Sequence, residues 1–198
     1  MSNEKKEIRN TAYTVEVTGE TEEKRTVEGY ALLFDTPSDG LWFEEVIEPK
    51  ALDGVLSRSD VFALLNHDMN RGILARSNKG QGSMTLSVDA KGLKYRFEAP
   101  NTPLGEELLE NLRRGEISQS SFSFDVESDT WEKKDDGTWK RTVHQIGNLY
   151  DVSPVYNAAY SKTSVYMRGK EEAEQRENES KTRELEEYYK EIEESFNF

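Results

Sequence analysis

The stretch ISQSSFSFDV, residues 117–126, places four serines and two phenylalanines in ten positions. Apolar and polar residues alternate through it, the period of a strand with one buried face. On such a strand Phe122, Phe124 and Val126 share a face with Ser118 and Ser120, while Ser121 and Ser123 share the other. Two phenylalanines mark the buried side, so Ser121 and Ser123 are the hydroxyls that can face a cleft. Small residues filling a crowded sheet account for the same pattern, and the strand alone does not decide between packing and nucleophilic chemistry. A serine becomes a nucleophile when a base takes its proton and a third group orients that base. The chain holds two histidines, His67 and His144. His67 closes the run DVFALLNHD (60–68), where it reads either as a strand-end histidine satisfied by a backbone carbonyl or as a general base working near neutral pH. His144 lies among Lys140, Arg141 and Gln145 and reads as a solvated residue. Asp151 is an acid among Leu149, Tyr150, Val152 and Val155, where burial without a partner is costly, and is the better candidate for the orienting group.

Other chemistries find little support. There is no G-x-S-x-G, so a catalytic serine would sit on a strand rather than at a nucleophile elbow. With no H-E-x-x-H, no cysteine and only two histidines, a zinc centre has few ligands to draw on. No phosphate-cradling loop or dinucleotide fingerprint occurs, and no cofactor is expected.

Around these residues the pattern is mainly β with a few helices. TAYTVEV and RTVEGYALLF read as two strands about the polar turn TGETEEK. PKALDGVLSR (49–58) suits a short helix, and residues 60–68 a strand covered on both faces. SMTLSVDAKGLKYRFEAP reads as a hairpin turning at Asp89 to Gly92. Asn101 or Thr102 caps a helix that has Pro103 in its first turn and stops at Gly115. A further hairpin turns at Asp136-Gly137, and NLYDVSPVYNAAY gives a last strand that Pro154 ends or demotes to an edge. Residues 1–10 read as a flexible N-terminus, 11–167 as the folded domain and 168–198 as a charged helical tail. That tail holds eleven acidic and six basic residues, with Leu185, Tyr188, Tyr189, Ile192 and Phe196 at helical spacing. Hydrophobic and charged residues make up 34% and 33% of the 198 positions, too apolar for a disordered chain and too charged for a globule throughout. A net charge of −13 repels phosphate backbones and makes nucleic acid a poor partner. The absence of cysteine fits a reducing compartment, and no run has membrane-spanning length, so the sequence reads as soluble and unexported.

EGYALLF, LLNHD, a helix ending in Arg-Arg-Gly, SSFSF and LYDVSPVYNAAY, in that order over about residues 25–165, resemble the tailed-bacteriophage prohead proteases. The resemblance implies an assemblin-like β-barrel surrounded by helices, similar to the herpesvirus capsid-maturation proteases. It makes His67 the general base, Ser121 the nucleophile and Asp151 the third member of the triad. Assemblins use a histidine in the analogous strand, which keeps His144 as an alternative. Phage members commonly have glycine where this chain has Ser123. For the oxyanion the corresponding loop is NAAYSKT, with Lys162 its nearest cation.

The activity so implied is that of a serine endopeptidase inside the procapsid in the host cytoplasm. It would cleave the scaffolding protein or the scaffold-like region of the major capsid protein, and finally itself. The resemblance also admits a homo-oligomer, because assemblins act as dimers. The competing reading is a noncatalytic capsid-assembly or scaffold module on the same fold, with the serines serving packing alone. The tail reads either as a solvated helical extension or as an element that docks on scaffold and is trimmed by self-cleavage.

Overall fold

The computed structural model describes residues 6–11, 15–18, 25–38, 41–156 and 182–183. The chain divides into two units, Met1–Ser161 and Lys162–Phe198. Apart from the helical pair Thr182 and Arg183, the tail expected over 168–198 lies outside the described residues.

The first unit runs β1 (Glu7–Thr11), β2 (Glu16–Thr18), β3 (Thr26–Leu33), β4 (Glu44–Ile47), a 3-10 turn (Pro49–Leu52), α1 (Val55–Arg58) and β5 (Asp60–Ala63). A second 3-10 turn (Met69–Arg71) precedes β6 (Ala75–Asn78), β7 (Gln81–Gly82), β8 (Met84–Val88) and β9 (Gly92–Glu98), followed by α2 (Pro103–Arg113), β10 (Gln119–Lys133) and β11 (Trp139–Val155). One sheet follows the order β1-β10-β11-β5-β6-β7, with β4 also on β11; the other is β2-β3-β9-β8. The sheets meet through a single core in which Phe122, Phe124, Leu93, Leu108, Leu109 and Ile146 are all buried. Between them Tyr95 Oη and Ser120 Oγ lie 2.8 Å apart, so the polar atoms on the inner face satisfy each other. The stacked rings of Phe122 and Phe124, 5.0 Å between centroids, occupy the same inner face. Burying each contributes on the order of 2–3 kcal/mol.

Local chemistry fixes several elements. Thr102 caps α2, its Oγ1 accepting from the Gly105 N–H at 3.3 Å, and Pro103 needs no donor in the first turn. The β10–β11 hairpin turns at Gly137, whose φ of 82° is the left-handed conformation glycine adopts without strain.

Four expectations are corrected. The N-terminus read as flexible over 1–10 is a strand from Glu7 onward, paired antiparallel with β10. Its charged residues hid it, and they are matched by distant partners: Arg9 lies 2.5 Å from Glu45 Oε1, and Arg141 2.7 Å from Glu7 Oε2. The last strand is no edge, because β11 has β10 on one side and β4 and β5 on the other. Pro154 is tolerated there for a geometric reason. In an extended strand the N–H and C=O of a residue leave on the same side, and the Pro154 carbonyl accepts from Asn66 N–H at 3.0 Å. The missing donor therefore faces the edge where β5 has already ended. The strand expected over 60–68 stops at Ala63, and Asn66 and His67 take left-handed backbone angles, φ 54° and 60°. Finally, no sheet closes among the described residues, so the barrel ringed by helices is replaced by two open sheets with α1 and α2. The path of the larger sheet ends at β1 and β7, which are not paired with each other.

Candidate active site

Pairing alone brings the chemistry-bearing residues onto one face. Ser121 stands opposite Asn10 on β1 and Ser153 on β11; Ser123 stands opposite Ile8 and Asp151. Cross-strand partners point the same way, so Ser121, Ser123, Asp151 and Ser153 share the face turned away from the phenylalanines. Serines at the first two positions leave room there for a histidine.

His67 arrives from the turn after β5. Leu64 N–H donates to Val152 O at 3.1 Å and Asn66 N–H to Pro154 O at 3.0 Å, which fastens the turn along β11. The left-handed pair at Asn66 and His67 then swings the imidazole over the serine face. Left-handed backbone outside glycine costs of order 1–3 kcal/mol and persists where the surroundings hold it.

The result is a continuous hydrogen-bonded chain. His67 Nδ1 is 2.6 Å from Asp151 Oδ1, and His67 Nε2 is 2.6 Å from Ser121 Oγ. Ser121 is fully buried and Asp151 nearly so, while 17% of the His67 side chain reaches solvent. Burial by itself would push the pKa of Asp151 up. Hydrogen bonding and charge from His67, the Ser123 hydroxyl and Lys6 outweigh it and hold the carboxyl well below the usual carboxylate range. The carboxylate is thus ionised, accepts from Nδ1–H, and leaves Nε2 to accept the Ser121 proton. That is a general-base arrangement for an oxygen nucleophile.

His144 stands elsewhere on β11, with Nδ1 3.0 Å from Glu48 Oε2 and Nε2 3.0 Å from Thr130 Oγ1. The NAAYSKT loop and Lys162, expected near the oxyanion, lie outside the described residues.

Four contacts were not foreseen. Ser123 donates to Asp151 Oδ2, and Ser153 Oγ donates to Oδ1 at 2.8 Å. Lys6 Nζ sits 3.0 Å from Oδ2, and the Arg9 carbonyl accepts from Ser121 Oγ at 2.8 Å. Ser153 could have been found from its place two residues beyond Asp151 on a strand, since i and i+2 share a face. Nothing in the sequence signals the contacts of Lys6 and Arg9. Among the described residues no cluster of His, Cys, Asp or Glu is arranged to hold a metal ion, and no helix is long and apolar enough to cross a membrane.

Comparison with known proteins places this geometry in a context. A family model described as caudovirus prohead serine protease matches residues 11–187. No curated protein matches the sequence. Among solved structures, the chain is similar to the bacteriophage T4 capsid assembly protease, gp21, at 13% identity and a TM-score of 0.47, over 77% of this chain and 97% of that one.

Proposed function

Because the chain belongs to the caudovirus prohead serine protease family, a family of capsid maturation proteases, we propose that it is a serine endopeptidase using Ser121, His67 and Asp151. It acts inside the procapsid on the scaffolding protein or on the scaffold-like region of the major capsid protein, and on itself. The single observation that carries this reading is the chain Asp151–His67–Ser121, with both links at 2.6 Å.

In the reaction so proposed, Ser121 Oγ attacks the scissile carbonyl as its proton passes to His67 Nε2. Asp151 holds the imidazole by Nδ1 and stabilises the imidazolium that forms. His67 then gives the proton to the leaving amine. A water, deprotonated by the same nitrogen, hydrolyses the acyl-enzyme and regenerates the hydroxyl.

The test is intact-mass analysis of wild type and Ser121→Ala incubated with the scaffold or capsid protein of the same particle. Defined fragments from wild type and none from the variant are expected. Intact substrate and enzyme with both proteins would sink the peptidase reading and turn attention to a noncatalytic assembly module.

A further inference from the structure

Asp151 is a nearly fully buried carboxylate that must orient a histidine without holding it permanently protonated. A buried negative charge with one imidazole as its only counter-charge favours imidazolium in the resting state, and an imidazolium cannot act as a base. A second cation on the same carboxylate relieves this. Lys6 is that cation: Nζ lies 3.0 Å from Oδ2, on the carboxylate oxygen that His67 does not use.

The groups around the site leave Lys6 few rivals. From β10 come Ser121 and Ser123, and from β11 Ser153, all uncharged hydroxyls. The turn after β5 supplies His67 itself, and the neighbouring Asp68 carboxylate is engaged with the Asn70 N–H at 2.9 Å. Lys6, the residue just before β1, reaches Asp151 past the ring of Tyr150, 5.5 Å from its centroid. The strand that delivers it is anchored, since Arg9 bonds Glu45 at 2.5 and 2.8 Å and Glu7 receives Arg141 at 2.7 and 2.9 Å. The same strand also offers the Arg9 carbonyl to Ser121 Oγ.

We propose that Lys6 is a positioning residue of the active site: through Asp151 it keeps His67 available as a base, so that the residue leading into the first strand sets the pH range of catalysis. The inference rests on the triad reading above. Removing the positive charge leaves Asp151 to stabilise the protonated imidazole unopposed. The acid limb of kcat/KM therefore moves to higher pH.

The experiment compares wild type, Lys6→Met and Lys6→Arg in two ways. The first is the pH profile of kcat/KM on the scaffold or capsid protein. The second is NMR titration of histidine-labelled protein, where only His67 and His144 contribute and His144→Gln identifies the remaining signal. Lys6→Met is expected to shift both the acid limb and the His67 midpoint upward by about half a pH unit, with the effect shrinking as salt rises. Lys6→Arg should return both toward wild type. Superimposable His67 titrations for wild type and Lys6→Met would overturn the proposal, as would a Lys6→Arg protein displaced as far as Lys6→Met. If wild type cleaves nothing yet its His67 midpoint moves on Lys6→Met, the charge coupling stands and the peptidase reading falls.

Discussion

One hydroxyl on this molecule has two acceptors. Ser121 can give its proton to His67 Nε2 at 2.6 Å or to the Arg9 carbonyl at 2.8 Å. When His67 is neutral the first choice makes the serine a nucleophile; when it is charged, Nε2–H donates to Oγ and the proton turns to Arg9. The arrangement is therefore satisfied in both states, which suits a base that must alternate between them. Asp151→Asn should lower kcat on the order of 10³- to 10⁴-fold, because an amide favours the wrong tautomer of His67. It should also lower the melting temperature at neutral pH, because the bonds of the ionised carboxyl to His67, Ser123 and Lys6 are lost or weakened. Stability carries its own signature. The folded Asp151 carboxyl titrates below its unfolded value, so its contribution is present above about pH 4 and is lost as pH falls through the folded value. The acid limb of the stability–pH curve should accordingly be flatter in Asp151→Asn than in wild type, read by urea unfolding between about pH 3 and 6. At this scale the division of β10 into a phenylalanine face and a serine face was legible, because period two is written in the residue types. Beyond His67, which the resemblance implied, and Ser153, two residues further on the same strand, the company of Asp151 was not, since hydrogen-bond partners brought by pairing leave no local pattern.

Elements tell a similar story with different causes. α2 and the hairpins at Asp89–Gly92 and Asp136–Gly137 were readable, because caps and turn residues act within a few positions. β1 was not, for its Glu and Arg side chains look solvated until β4 and β11 supply partners 36 and 134 residues away. That network is also where β1 is vulnerable. Glu45 is fully buried, and Glu45→Ala would leave Arg9 enclosed with its main partner gone, at a cost of about 3–5 kcal/mol. Urea unfolding should register that loss, and hydrogen exchange should show the amides of β1 opening before those of β9. A second element-level expectation runs against propensity. Glycine to alanine in a helix interior ordinarily stabilises by about 1 kcal/mol. At Gly105 the added Cβ would collide with the Pro100 carbonyl oxygen, so Gly105→Ala should lower the melting temperature instead. The proline in β11 misled in the opposite direction, because a sequence does not say which edge of a strand its N–H would face.

For the molecule as a whole, mainly-β composition and family were legible, whereas sheet closure was not, because it depends on whether strands far apart in the chain, such as β1 and β7, pair with each other. Of the two readings of the acidic tail, a solvated extension or an element that docks on scaffold, the second can be tested directly. Deletion of 170–198 should leave peptide cleavage by the purified protein near the wild-type rate and reduce its incorporation into particles, both measurable by quantitative gel analysis. Unchanged incorporation would count against a targeting role. The pairing of β1 with β10 finally imposes an order in time. The contact between Arg9 and Ser121 spans 112 residues, and Asp151 lies further on still. At synthesis rates of roughly 5–20 residues per second, the first strand waits several seconds for its partner. Long-range closure of this kind is also slow in an unaided chain. Recovery of cleavage after dilution from urea should therefore lag recovery of the β8–β9 hairpin, and simultaneous recovery would contradict this. A nascent copy thus cannot bring Asp151, His67 and Ser121 together until nearly all of the described domain has been made.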